Sequence, residues 1–119
     1  MKKLSFDWIK RADGTSEFID FMDALPIKDR AKLYAVILKT EEVGLDTAKK
    51  MKWVRKLRDG ISEIRSKQGS DIQRALYFHR VNTSYMITHG FTKKSDEVPE
   101  REIEHAKRMR DDYRRGERK

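Results

Sequence analysis

The sequence predicts an α+β fold in which two N-terminal helices pack on one face of a small antiparallel sheet and a further helix ends the chain. Three observations carry this. Residues 61–94 hold three strand-like runs joined by short polar turns at Gly69 and Asn82, the pattern of an antiparallel meander. Residues 17–44 carry apolar side chains at helical spacing. Near the end, Ile103, Ala106, Met109 and Tyr113 form a second helical stripe.

The elements follow in order. Residues 2–9 alternate weakly, with Leu4, Phe6 and Trp8 on one side, and read as a first strand. Asp13-Gly14-Thr15-Ser16 is a turn that can cap a helix beginning near Glu17. Phe18, Ile19, Phe21 and Met22 give that helix its apolar face. Pro26 suits the opening of a second helix. There Ile27, Ala31, Tyr34, Ala35 and Leu38 recur at helical spacing, Leu33 and Ile37 widen the face, and Gly44 ends it. Residues 46–59 are a basic segment holding Met51, Trp53, Val54 and Leu57, either a short helix or an irregular crossing. Asp59-Gly60 turns the chain into the strand at Ile61. The meander runs to Phe91, residues 92–99 read as a polar loop, and the last helix runs from about Pro99 into Arg115. Residues 116–119 are expected to fray. One domain spans residues 1–119. In this arrangement the second face of the sheet stays open to solvent.

Composition narrows the function. Lys and Arg total 28 against 20 Asp and Glu, a net charge of +8. The excess is local: residues 49–80 carry 10 basic and 3 acidic side chains, whereas residues 1–48 carry 8 and 9. Localised basicity is the electrostatic footprint of a nucleic-acid binder. Cysteine is absent, which removes disulfides, thiolate metal sites and a thiol nucleophile, and fits a reducing compartment. Lys2 and Lys3 lead into Phe6-Asp7-Trp8 rather than an apolar signal region, and no apolar run is long enough to span a bilayer. A cytoplasmic protein without membrane contact is expected.

His79, His89 and His105 form no close-spaced pair, so a metal site is not expected. Nor is a cofactor, because the six glycines are isolated and build no phosphate loop. The cations are more informative. RNA can be cleaved without metal by its own 2′-OH, provided something removes that proton, stabilises the charge gathering on phosphorus and protonates the leaving 5′-oxygen. Arg offers a bidentate phosphate clamp of fixed charge. A Lys beside another cation can have its pKa lowered toward that of a base. Arg65, Arg74, Lys93 and Lys94 are the right types for charge stabilisation. Tyr77 or His89 could transfer a proton or stack on a base. Lys49, Lys50, Lys52, Arg55, Lys56, Arg58 and Arg80 are candidates for sequence-independent phosphate contacts. Trp53 lies among these cations and could equally stack on a base or pack on the core.

Strand parity constrains the set. In the strand from Gln73 to Arg80, Arg74, Leu76, Phe78 and Arg80 share one face, and Gln73, Ala75, Tyr77 and His79 the other. Leu76 and Phe78 look like core, so Arg74 reaches solvent only near the strand end or past a bulge. Arg74 and Tyr77 cannot point the same way in a regular strand.

The order of motifs adds a resemblance. Residues 59–65 (Asp-Gly-Ile-Ser-Glu-Ile-Arg), 74–78 (Arg-Ala-Leu-Tyr-Phe), 89–94 (His-Gly-Phe-Thr-Lys-Lys) and 99–104 (Pro-Glu-Arg-Glu-Ile-Glu), followed by Ala106, resemble phage-derived HigB toxins of the RelE/ParE superfamily. The resemblance covers residues 17–114. It implies a RelE-like fold and the toxin of a type II toxin–antitoxin pair. Such toxins cleave mRNA on the translating ribosome, in its A site. A cognate helix-turn-helix antitoxin, HigA-like, neutralises them, and oligomers form through that complex. Carried over by position, Arg65, Arg74, Lys93 and Lys94 become the first catalytic or phosphate-contacting candidates, and Tyr77 and His89 the second. One departure stands out: RelE members place a tyrosine in the C-terminal part of the site, whereas residues 97–101 here contain none. ParE relatives act on DNA gyrase, so a gyrase-directed toxin is the alternative, and a non-catalytic RNA-binding protein is another.

Overall fold

The computed structural model describes residues 1–117. Among these residues the chain forms, in order, β1 (Ser5–Trp8), α1 (Glu17–Ala24), α2 (Ile27–Val43), α3 (Leu45–Lys50), β2 (Val54–Arg58), β3 (Ile61–Gln68), β4 (Asp71–Val81), β5 (Ser84–Lys93) and α4 (Glu100–Glu117). The five strands form one sheet in the order β1-β5-β4-β3-β2. β1 runs parallel to β5, and every other neighbouring pair is antiparallel.

Local chemistry explains most boundaries. Ser16 caps α1, its hydroxyl accepting from the Ile19 amide at 3.3 Å. Pro26 precedes α2, and Gly44, at φ 90°, ends it while its amide donates to the Thr40 carbonyl. Asp59 and Gly60 at φ 54° and 80° make the tight β2–β3 hairpin, since both central residues need the left-handed region. Gly69 (φ 62°) and Asn82 (φ 51°) turn the next two hairpins.

Three expectations change. The 46–59 segment is a short helix followed by a fifth strand, so the sheet gains β2 at its edge. It is also mixed rather than wholly antiparallel, because β1 runs parallel to β5. Most consequentially, the second sheet face is covered. Val54, Ile64, Ala75, Tyr77 and Ile87 meet Phe18, Met22, Leu33 and Ile37 of α1 and α2 on one side. Ile61, Leu76, Phe78 and Met86 meet Ile103 and Ala106 of α4 on the other. The fold is thus three layers, helix–sheet–helix. Thr92 and Lys93 belong to β5, and α4 continues through Glu117, so the tail expected to fray is helical at 116 and 117; residues 118 and 119 lie outside the described residues.

A bulge in β5 sets the chemistry of that strand. Leu76 pairs with His89 but Tyr77 with Ile87, which leaves Thr88 extra. An inserted residue flips the parity of everything after it. His89 therefore faces α4 rather than α1. Gly90 faces α1, where Phe21 lies so close that a Cβ would sit 2.3 Å from the ring.

Candidate nucleic-acid interface

Register brings four charged side chains onto the α4 side of the sheet. Arg55 pairs with Glu63 across β2–β3, and Arg65 pairs with Arg74 across β3–β4. Glu63 pairs with Leu76, so all four share the face that carries the α4 core. Glu63 is fully buried and stands at the centre. Its Oε1 lies 3.0 Å from Arg55 Nε and 3.8 Å from Arg65 Nη1, and its Oε2 lies 3.4 Å from Arg74 Nε. The segment linking β5 to α4 straps over this cluster. Asp96 Oδ1 accepts from Arg65 at 2.7 Å, the Asp96 carbonyl accepts from Arg55, and the Ser95 carbonyl accepts from Arg74. Arg74 also sits 6.0 Å from the Phe91 ring centroid.

The charges follow from these contacts. Burial pushes the Glu63 carboxyl up, and Arg55, Arg74 and Arg65 oppose it. The loss of water outweighs the three guanidinium groups, so the Glu63 carboxyl is held above its ordinary value. Burial likewise pulls Arg74 down, against Glu63. The hydrogen bond from Arg65 holds Asp96 below the usual carboxylate range. Three guanidinium groups against two carboxyl groups leave the cluster with an excess of positive charge, facing out through Arg65 and Arg55.

The candidate residues separate on burial. Arg74 has no exposed side-chain surface and lies against Glu63, which in turn faces Arg65. Tyr77 is buried on the opposite face, edge-on to Phe6 at 5.1 Å, and burial raises its phenol well above the ordinary value. His89 is buried between Glu102, 3.0 Å from Nε2, and the Thr88 hydroxyl, 3.0 Å from Nδ1. Arg65 keeps 23% of its side chain exposed, Lys93 is half-buried and Lys94 exposed. The structure therefore groups Arg65, Arg74 and Lys93, whose carbonyl accepts from Arg74 at 3.4 Å. It sets Tyr77 and His89 apart from them.

The phosphate-binding candidates also divide. Lys49, Lys50, Lys52 and Lys56 are exposed around α3 and β2. Arg58 is bound instead by Glu104 at 2.7 Å and by Glu100 and Asp59, and Arg80 by Tyr113 at 2.7 Å and Glu117 at 2.8 Å. Those two arginines fasten α4 to the sheet.

One family model matches the chain over these elements: Phage derived protein Gp49-like (DUF891) covers residues 20–111, from α1 through most of α4. The chain belongs to the Gp49-like family. No curated protein matches it. The matched residues include the whole strap and arginine cluster, from Arg55 to Asp96. Two of its members, Glu63 and Asp96, were not singled out from the sequence. Glu63 could have been, because an acid between Ile61 and Ile64 in a strand needs a cationic neighbour. Asp96 sits in a polar loop that offered no comparable signal. Among the described residues no three His, Asp or Glu side chains are grouped to hold a metal ion, and no helix is long and apolar enough to cross a membrane.

Proposed function

We propose that this Gp49-like protein is the toxin of a type II toxin–antitoxin pair and cleaves mRNA at the ribosome as a metal-independent endoribonuclease. Family membership supports the toxin reading, since the family is toxin-like and associated with RelE/HigB-type systems. The observation that carries the activity is the arginine cluster: Arg65, fixed by Glu63 and Asp96 and partly exposed, beside Arg55 and a buried Arg74.

In this reading the substrate's 2′-OH attacks its own phosphorus and the 5′-oxygen leaves, giving a cyclic phosphate and a free 5′-hydroxyl. The phosphate displaces the Asp96 carboxylate from Arg65, and Arg65 with the neighbouring Arg55 stabilises its growing charge. Arg74 and Glu63 hold Arg65 in place. Lys93 and Lys94, at the start of the strap, exchange the two protons. Lys49, Lys50, Lys52 and Lys56 carry the phosphate contacts to message and ribosomal RNA. A helix-turn-helix antitoxin, HigA-like, is the expected partner.

The test is mapping of mRNA 5′ ends after brief induction of the wild type, Arg65→Ala and Lys94→Ala. New ends inside translated frames, lost in either variant, are the expected result. Growth arrest with DNA damage and intact mRNA would instead make gyrase the target. No arrest would leave an RNA-binding protein.

A further inference from the structure

A cavity of about 320 Å³ opens where β3 runs on past its edge partner. β2 begins at Val54, opposite Ile64, so Ser66–Gln68 form an open edge. Lys32 of α2, Lys52, Trp53, Arg65 and Lys67 line it together with Asp96. The lining thus holds four cations, one carboxylate and one half-buried indole. It also holds Ser66, only 5% exposed, whose hydroxyl has no hydrogen-bond partner among the described residues. A buried hydroxyl left unpaired is uncommon and marks a place where a polar ligand group can be received.

We propose that this cavity binds one nucleotide unit, with the base against Trp53 and the phosphate on the Arg65–Lys67 side, and that Asp96 occupies the anion position until the nucleotide arrives. The volume is at the small end of ligand pockets, about 300–1,000 Å³, which suits one nucleotide and not a longer segment. An aromatic ring among cations is the combination that holds single-stranded nucleic acid, the ring taking a base and the cations the backbone. The Asp96 carboxylate, 2.7 Å from Arg65 and 74% exposed, presents oxygens where a phosphate would present its own. Its backbone is anchored separately, through its carbonyl to Arg55, so the side chain can swing away without the strap unfolding. Lys32 donates to the Lys67 carbonyl and closes one side of the opening. The source of the nucleotide, a message, rests on the function proposed above. The binding itself does not.

The indole gives a direct readout. Trp8 sits on β1 and Trp53 beside β2, at opposite edges of the sheet. In a Trp8→Phe protein, emission therefore reports Trp53 alone. Titration with 5′-AMP and 5′-UMP should quench it saturably, at concentrations about tenfold below those needed with inorganic phosphate or adenosine alone. Lys67→Ala, an exposed position that leaves folding intact, should weaken binding about tenfold. Asp96→Asn should tighten it, because the competing carboxylate is gone. In the unsubstituted protein only one of the two indole N–H proton resonances should shift, which guards against damage from the Trp8 change. No saturable response by either method, or a nucleotide response equal to that of phosphate alone, would overturn the proposal. Intact nucleotide binding without mRNA cleavage would sink the ribonuclease reading and leave this one standing; cleavage without nucleotide binding would do the reverse.

Discussion

Glu63 is the residue on which the cation cluster turns. Three guanidinium groups within 4 Å of one carboxylate are tolerable only while that carboxylate is charged. Glu63→Gln should cost roughly 3–5 kcal/mol in urea unfolding, as expected when one partner of a buried pair is removed. Arg65→Ala removes a partly exposed group whose main partner, Asp96, lies in solvent, and should cost much less stability. His89 supplies the pH dependence. Burial holds its imidazole below the ordinary 6.5, against the pull of Glu102, while His105 faces it 4.7 Å away and Glu17 binds His105 at 2.9 Å. The unfolded chain therefore takes up this proton at higher pH than the folded one. Stability should be full above 6.5 and fall as pH drops through 6.5 toward the folded value, with a His89→Gln protein showing a flatter profile. Unfolding midpoints between about pH 5 and 7.5 would measure both. At this scale the sequence made Arg65 and Arg74 legible as neighbouring cations, and the structure adds the Lys93 carbonyl to them. Strand parity already set Arg74 on the core face, but it could not name the groups that seal it there, Glu63 and the Ser95 carbonyl, which come from other parts of the chain.

At the scale of elements, strands β3 to β5 were legible because alternation and turn residues agree: Gly69 and Asn82 both adopt the positive φ their hairpins need. β2 was not, since Val54-Arg55-Lys56-Leu57-Arg58 offers one apolar residue to each face and follows a helix without a breaker. The parity of β4 misled differently. Leu76 and Phe78 were read as core, with the opposite face solvated, yet every residue from Ile72 to Phe78 is buried. A strand apolar on both faces signals cover on both faces. The Thr88 bulge was invisible, because an inserted residue leaves no compositional trace. Its effect is testable at Gly90, which it turns toward Phe21. Gly90→Ala forces that ring to move and should destabilise by about 1–3 kcal/mol, the usual cost of overpacking, read as a lower melting temperature.

For the whole molecule, net charge misstates what is available to a polyanion. Arg58 and Arg80 are engaged by α4, whereas Lys49, Lys50, Lys52 and Lys56 are exposed on one side of the β2 edge. Affinity for a single-stranded oligonucleotide should fall steeply with salt. Replacing any one of these lysines with Ala should reduce the log–log slope by about 0.7, the contribution of one phosphate contact. Arg58→Ala should leave the slope unchanged and loosen α4 instead. Fluorescence anisotropy at several salt concentrations would separate the two classes.

The way α4 is held has a consequence for motion. Its apolar seat is small, Ile103 and Ala106 with part of Tyr113, and much of the remaining grip is ionic: Arg58 to Glu104, Lys107 to Asp59 at 3.0 Å, Arg80 to Glu117. Ionic grips at a surface weaken as electrolyte is added, whereas the packing of Leu33 and Ile37 against the other face does not. The third layer should therefore open as a separate cooperative unit. Amide hydrogens from Ile103 to Tyr113 should exchange with deuterium ahead of those at Leu33 and Ile37, and the gap should widen with ionic strength. Each opening would lift the strap with it and bare Arg55 and Arg74, which a swing of the Asp96 side chain alone leaves covered by the strap carbonyls.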